Sequence, residues 1–302
     1  MEGFVLTKHK ISEYSAQFII WLILFIITFV TLFPFINTLA ISFNKAYDTA
    51  RGDLYFFPRI ITLENYKVIF SFPDLFSSLF VTVGRTVIGS FVSLLFTGMY
   101  AFGMSKSYLK GRKVYMTLSI ITLYFSGGLI PYYLLIRSLD LIDNFLVYII
   151  PYAVGVFNMI IMRTYFKGIP EAMEESAKID GAGLFTIFFK IIVPLSGPII
   201  ATMILFNAVF QWNSWFDANI FINKSELRPL QSVLIKIIAS TRTDEAIQSA
   251  GPAASMLAAQ KVVNIRSITA ATMIITVIPI IMVYPFVQRY FVKGVMIGAI
   301  KG

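Results

Sequence analysis

The sequence predicts an all-α, polytopic membrane protein of six transmembrane helices with both termini on the cytoplasmic side, and three observations carry that reading. Of 302 residues, 57% are hydrophobic and only 14% charged, well outside the usual balance of a soluble domain. Long apolar stretches of membrane-spanning length recur along the whole chain, and mean hydropathy is +0.78. Lys and Arg fall unevenly on alternate connecting segments, as membrane orientation requires. The organisation expected is one transmembrane domain over 1–302.

The first span is placed at about 18–43, within an uncharged run that allows a kink at Pro34. Its length exceeds that of a secretory leader, so it reads as a retained helix. A polar segment with balanced charge follows, containing the stretch FFPRIITLENY from Phe56 to Tyr66. The second span, about 76–104, is interrupted only by Arg85. The third, about 114–136, carries Gly127, Gly128 and Pro131 in its second half, and the fourth, about 144–162, contains Pro151 and Gly155. The fifth covers about 191–216 and the sixth about 267–288. Between the fourth and fifth lies a charged segment, 163–190, and between the fifth and sixth a long polar loop, 217–266.

With the N-terminus inside, the inner segments 1–16, 105–113, 163–190 and 289–302 hold thirteen Lys and Arg against six acids. The outer segments hold eleven against ten. The stretch SKSYLKGRK at 105–113, four positives with no acid, is the most decisive entry, and it places 163–190 in the cytoplasm and 217–266 outside. Topology therefore accounts for the net charge of +9, and a nucleic-acid partner is not expected. No cysteine is present and His9 is the only histidine, so a metal site is not expected either.

The segment PEAMEESAKIDGAGLFTIFFKIIVP, Pro170 to Pro194, reads as an amphipathic helix, a break at Gly181-Ala182-Gly183 and a second helix. Pro170 suits a first helical position, and Glu171, Glu174 and Glu175 fall where the helix dipole favours acids. Glu175-Ser176-Ala177, three residues, Gly181, nine residues and Ile191-Ile192-Val193-Pro194 resembles the E-A-A, three residues, G, nine residues, I-x-L-P signature of ABC importer membrane subunits. Ser176 and Val193 depart from it by small changes. The wording ESAKIDGAG, the FPRIITLENY segment and the tail YPFVQRYFVKGVMIGAIKG are similar to the carbohydrate-uptake branch, particularly to permeases for complex oligo- and polysaccharides.

That resemblance implies a type I ABC importer transmembrane fold and a permease subunit of an ATP-driven carbohydrate importer in a bacterial cell membrane. It implies a second homologous permease chain as heterodimer partner, two ATPase subunits and an extracytoplasmic sugar-binding protein. It further implies ATPase coupling through Glu171, Glu174, Glu175, Ala177, Asp180, Gly181, Ala182 and Pro194. An apolar side of Ala172, Met173 and Ala177 rimmed by acids suits helix-in-groove docking; the alternative is a helix that merely packs under the bundle. The tail, with Gly298, Lys301 and Gly302, is expected to reach the ATPase subunits or to pack along the membrane face. No Gly-Lys dipeptide occurs, so this chain has no phosphate-cradling loop; it is not expected to be an enzyme or to hold a cofactor, with ATP and Mg in the partner ATPase.

Candidate pathway residues are the polar and aromatic groups at membrane depth. Asn207 and Gln211 share a helix face, continued by Ser214, with Trp212 and Trp215 beside them. Amides and rings suit sugars, though amides also join helices and Trp anchors interfaces. Tyr124, Tyr132 and Asn158 are further candidates. Arg85, the one charge inside a span, reads either as a pathway residue or as a side chain snorkelling to the outer interface. Two alternatives to the importer reading are an ABC permease for another solute and an ion-coupled transporter. The second is disfavoured because no acid lies within a predicted span.

Overall fold

In the computed structural model the described residues are 2–72, 74–237, 239 and 264–299, with side chains described from 16 to 285. They are helical, with no strand among them and a single antiparallel β-bridge between Asn44 and Ile61. The sequence was read as one transmembrane domain; by its contacts the chain falls into two compact units.

The first unit comprises residues up to Phe72 together with 236–277. Helix α1 (Glu2–Ser42) runs through Pro34, and its apolar section from Ala16 to Ser42 presents its large side chains outward. After it, α2 (Ala46–Thr49) and α3 (Glu64–Phe70) are each tied to the end of the first span through a buried amide, Asn44 and Asn65 respectively. Asn44 Nδ2 donates to Asp48 Oδ2 at 2.9 Å and to Thr49 Oγ1 at 3.1 Å, while its Oδ1 accepts from the Ile60 N–H at 3.0 Å. Asn65 Nδ2 donates to the Ser42 and Asn44 carbonyls, and Arg59 Nε reaches Asp48 at 2.9 Å. The polar segment after the first span is thus a folded element in which buried polar groups satisfy one another.

The second unit is built on α4 (Leu75–Ser105), against which α7 (Val156–Lys167) and α11 (Gly197–Asn213) pack. The buried face of α4 is small and polar: Ser78, Thr82, Arg85, Gly89, Ser93, Thr97 and Ala101, spaced at three or four residues. Many of its large apolar side chains, Phe80, Val87 and Phe91 among them, point out, while Leu75, Val81, Phe102 and Met104 towards its ends are buried. Such inversion is a membrane pattern, because small residues let helix backbones approach while lipid takes the bulky side chains. Gly98 shows the closeness: a Cβ there would stand 3.3 Å from Met162 and 3.4 Å from Phe188.

Three helices are long and apolar enough to span: Ala16–Ser42, Leu75–Ser105 and Ile265–Pro285, the last within a helix, α13, of Ile265–Ala299. Three further apolar stretches are broken. α5 (Arg112–Tyr124) and α6 (Leu129–Ser138) meet at 112°, residues 145–152 meet α7 at 47°, and residues 184–195 meet α11 at 88°. The third, fourth and fifth predicted spans overlap these pairs, whose helices extend beyond the predicted bounds. The breaks fall at Gly127-Gly128, Gly155 and Ser196-Gly197, and of these Gly128, at φ +86°, needs the backbone freedom of glycine. The 217–266 segment is described through α12 (Phe216–Phe221), a 3₁₀ turn at Ser225–Leu227 and a helical stretch over 230–237; the rest of that loop up to 263 lies outside the described residues.

Candidate functional site

Two places gather the residues of interest, both in the second unit. The first is the hairpin. α8 (Glu171–Ile179) starts one residue later than its sequence pattern indicates, with Pro170 just ahead of it. It closes by donating the Gly181 N–H to the Lys178 carbonyl at 3.0 Å and the Ala182 N–H to the Ala177 carbonyl at 2.9 Å. This paired closure needs a left-handed residue, and Gly181 has φ +80°. A Cβ at Gly181 would meet nothing, so the requirement for glycine is backbone conformation alone. Ala177 and Ala182, joined by that closure, rest against a core of Met159, Met162, Phe166, Ile187 and Phe188. The fixed acid–alanine–glycine spacing thus describes how the hairpin is seated.

After the turn come α9 (Leu184–Ile187), a π-helical turn over Phe188–Ile192 and α10 (Val193–Leu195). Pro194 has no N–H to give to the preceding turn, consistent with the loosened helix at that place. Ser196 and Gly197 then turn the chain through 88° into α11, so the hairpin leads directly into a core helix.

Two expectations for the hairpin change. The acidic rim is narrower than the sequence implies: Glu171, Glu175 and Asp180 are exposed, but Glu174 is buried and paired with Lys106, whose ammonium also lies 4.1 Å from the centre of the Phe102 ring. Ala177 belongs to the seated side, so the outward apolar surface is Met173, Ile179 (87% exposed), Leu184 and Phe185. Neither Lys106 nor the inward turn of Glu174 was recoverable from local spacing, since the partners are 68 residues apart.

The second place surrounds Arg85, which is fully buried. Its Nε and one terminal nitrogen donate to Gln211 Oε1 at 3.1 and 3.0 Å, and the other terminal nitrogen donates to the Ser214 carbonyl at 2.9 Å. The guanidinium lies 4.2 Å from the centre of the Tyr148 ring and 3.8 Å from Asp217 Oδ2. Asp217 in turn accepts from the Tyr152 hydroxyl at 2.9 Å. Arg85 therefore does not snorkel, and the reading as an interface anchor is corrected: its donors are engaged inside the chain. An acid also lies beside it, just past the end of the fifth predicted span, where a span-by-span search does not look.

Gln211 is the other correction. Its oxygen serves Arg85, its Nε2 donates to the Tyr148 carbonyl at 3.0 Å, and the side chain is buried. A Cβ on Gly89 would stand 2.6 Å from Nε2, so glycine there makes the space that Gln211 fills. Gln211 is a buried brace between helices. Asn207, one turn earlier, is only partly buried; its Oδ1 lies 3.3 Å from both Ser93 Oγ and Asn158 Nδ2. Asn158 and Asn207 are thus brought together, as the sequence did not foresee. Trp212 is buried and Trp215 exposed, while Tyr132 packs on Phe221 and Tyr124 projects outward. Of the tail, the backbone at Gly298 is helical, whereas Lys301 and Gly302 lie outside the described residues. Among the described residues no cluster of metal-ligating side chains occurs.

A helical chain with broken apolar stretches, a hairpin seated on its core and no nucleotide loop has the character of the membrane subunit of an ATP-driven importer. The comparisons agree. Protein LplC of Bacillus subtilis is 39% identical over 278 residues, covering 90% of each chain. The polygalacturonan/rhamnogalacturonan transport system permease protein YtcP of the same organism is 38% identical, covering 89% of this chain and 92% of its own. Among solved structures, a bacterial ABC transporter involved in the import of the acidic polysaccharide alginate contains a chain that superposes with a TM-score of 0.81 and 30% identity, covering 93% of this chain and 98% of that one. No protein-family model matches. The chain belongs to the carbohydrate ABC transporter permeases. It is an integral membrane subunit, and ATP hydrolysis belongs to a separate chain.

Proposed function

We propose that this permease forms half of the carbohydrate pathway of a bacterial plasma-membrane importer, as a single transmembrane domain of six spans with both termini in the cytoplasm. The observation that carries the reading is the hairpin: anchored from within by Glu174–Lys106 and the Gly181 turn, it offers Ile179 and Phe185 outward and continues into a core helix. Such an element docks in a groove of an ATPase subunit and passes its movement to the membrane helices. The charge asymmetry of the loops supports placing it in the cytoplasm. A second permease completes the pathway, two ATPase subunits hold ATP and Mg, and an extracytoplasmic binding protein delivers the substrate; alternating access follows closure of the ATPases.

The substrate class is an oligo- or polysaccharide. Because YtcP and the alginate importer are both named for uronic-acid polymers, acidic oligosaccharides are the first to test. The buried Arg85–Asp217 pair does not favour an ion-coupled transporter, since both groups are committed to internal hydrogen bonds. The testing experiment is ATP-dependent uptake of labelled oligogalacturonides by the reconstituted complex. Uptake that needs ATP and the binding protein supports the reading; uptake by this chain alone, without ATPase, contradicts it.

A further inference from the structure

Each break in a membrane helix frees backbone N–H and C=O groups that lipid cannot satisfy, so irregular backbone at membrane depth is either buried in protein or faces water. At two of the three breaks part of the freed backbone is paired within the chain. At the 47° break, Thr97 Oγ1 accepts from the Gly155 N–H at 3.0 Å and donates to the Ala153 carbonyl at 3.4 Å. At the 88° break, the Ser196 N–H donates to the Val193 carbonyl and the Ser196 carbonyl accepts from Ile200, at 3.1 and 3.0 Å, although the buried Ser196 hydroxyl has no partner among the described residues.

The 112° break between α5 and α6 differs. Residues 125–128 are extended or irregular, with Phe125 at φ −115°, ψ 118° and Gly128 at φ +86°. Among the described residues nothing accepts a hydrogen bond from the N–H groups of Ser126, Gly127 and Gly128, and the Ser126 hydroxyl has no partner. All of 121–131 is exposed, and two rings flank the bare backbone, Tyr124 at 77% and Phe125 at 76% exposure.

We infer that Phe125–Gly128 is a wall of the water-filled pathway and a contact site for the carbohydrate, with backbone amides and the Ser126 hydroxyl meeting sugar hydroxyls and the rings of Tyr124 and Phe125 meeting sugar C–H faces. The inference rests on the permease reading. Lipid would leave the polar backbone unpaired, and an apolar helix face of a second permease would do the same; a hydroxyl-rich ligand and the water around it supply both donors and acceptors. Glycine at 127 and 128 keeps side chains away from the groups that must be reached, as at other places of close backbone approach.

The native chain has no cysteine, so one introduced thiol reports on its surroundings without background from this subunit. The assembled importer in proteoliposomes carries S126C or, as a second variant, F125C, and is treated with the charged, membrane-impermeant 2-sulfonatoethyl methanethiosulfonate, with and without ATP and vanadate. The control is F91C, on the outward face of α4. Because the thiolate forms only in contact with water, S126C or F125C is expected to react about tenfold faster than F91C in at least one nucleotide state. An oligogalacturonide delivered by the binding protein is expected to slow that reaction, and completed labelling to block uptake. No reaction in either state means the break is covered by the second permease. Reaction only with an apolar, membrane-permeant maleimide means it faces lipid, and water access without protection by any saccharide means it makes no substrate contact. Each of these three outcomes overturns the inference. Labelling is read independently of uptake, so an S126C complex that imports no carbohydrate before it is labelled, yet labels from water, refutes the functional reading while retaining the water-lined break.

Discussion

At the scale of single residues, the Arg85 cluster shows how much depends on groups far apart in sequence. Arg85, Gln211, Ser214, Asp217, Tyr148 and Tyr152 come from three separate stretches, and the guanidinium satisfies the Gln211 amide oxygen and faces the Asp217 carboxylate. Arg85→Ala leaves Asp217 buried without its cation and removes the donors of Gln211 and Ser214, and is expected to cost about 3–5 kcal/mol; Asp217→Asn leaves Arg85 those hydrogen bonds and is expected to cost less. Thermal denaturation of the detergent-solubilised subunit checks the order; equal losses would mean that the hydrogen bonds from Arg85 to Gln211 and Ser214 add nothing beyond the charge pair. Arg85→Lys is also expected to destabilise, since an ammonium cannot make the forked contact with Gln211 and Ser214. The sequence marked Arg85 as exceptional but left its role open, because neither a carboxylate 132 residues away nor a ring 63 away can be read from local spacing.

Outside the spans, Asp143 accepts from the backbone N–H groups of Asn223 and Lys224 and from the Asn223 side chain, and these donors hold its carboxyl below the usual carboxylate range. The folded value lies below the unfolded one, so the stabilisation is full above the ordinary carboxylate pKa and is lost as pH falls through the depressed folded value. The Tm difference between wild type and Asp143→Asn is therefore expected to be constant near neutrality and to shrink once pH drops below about 4. A difference unchanged down to that range and beyond would remove the charge from the account.

Among elements, the hairpin was the most legible part of the sequence and also the part most refined by the structure. Acid, alanine and glycine spacing located the helix and its end, because capping and left-handed closure are local matters. What spacing did not show is which side is seated: Glu174 and Ala177 turn inward, Met173 and Ile179 outward. Gly181→Val forces a β-branched residue to φ +80° and is expected to destabilise the turn by about 1–2 kcal/mol, lowering both ATPase stimulation and uptake in the assembled complex. Gly181→Asn, which tolerates that conformation better, is expected to retain more of both. Wild-type activity for the valine variant would show that the turn does not transmit motion. The glycines at two of the breaks, Gly127-Gly128 and Gly155, stand out within apolar runs, but neither the breaks nor their angles could be read from them, since these depend on which neighbour takes up the freed backbone groups.

For the whole molecule, three things are joined: loops whose charge asymmetry supports the proposed orientation, a polar-faced central helix on which broken apolar stretches assemble, and one outward hairpin tied into that assembly. Composition and periodicity made the membrane class plain, and the hairpin's spacing identified the family. Long-range pairing is what had to be seen, in the Asn44 knot of the first unit as much as in the Arg85 cluster of the second. The most direct test of the central claim is a cross-link from the hairpin in an assembled, transporting complex. With Ile179→Cys as the only thiol of this subunit and a short photoactivatable maleimide attached, the account predicts an adduct with the ATPase subunit whose yield changes between nucleotide-free and vanadate-trapped states. An active complex in which that residue, 87% exposed in this chain, cross-links to lipid or to the second permease and never to the ATPase would contradict it.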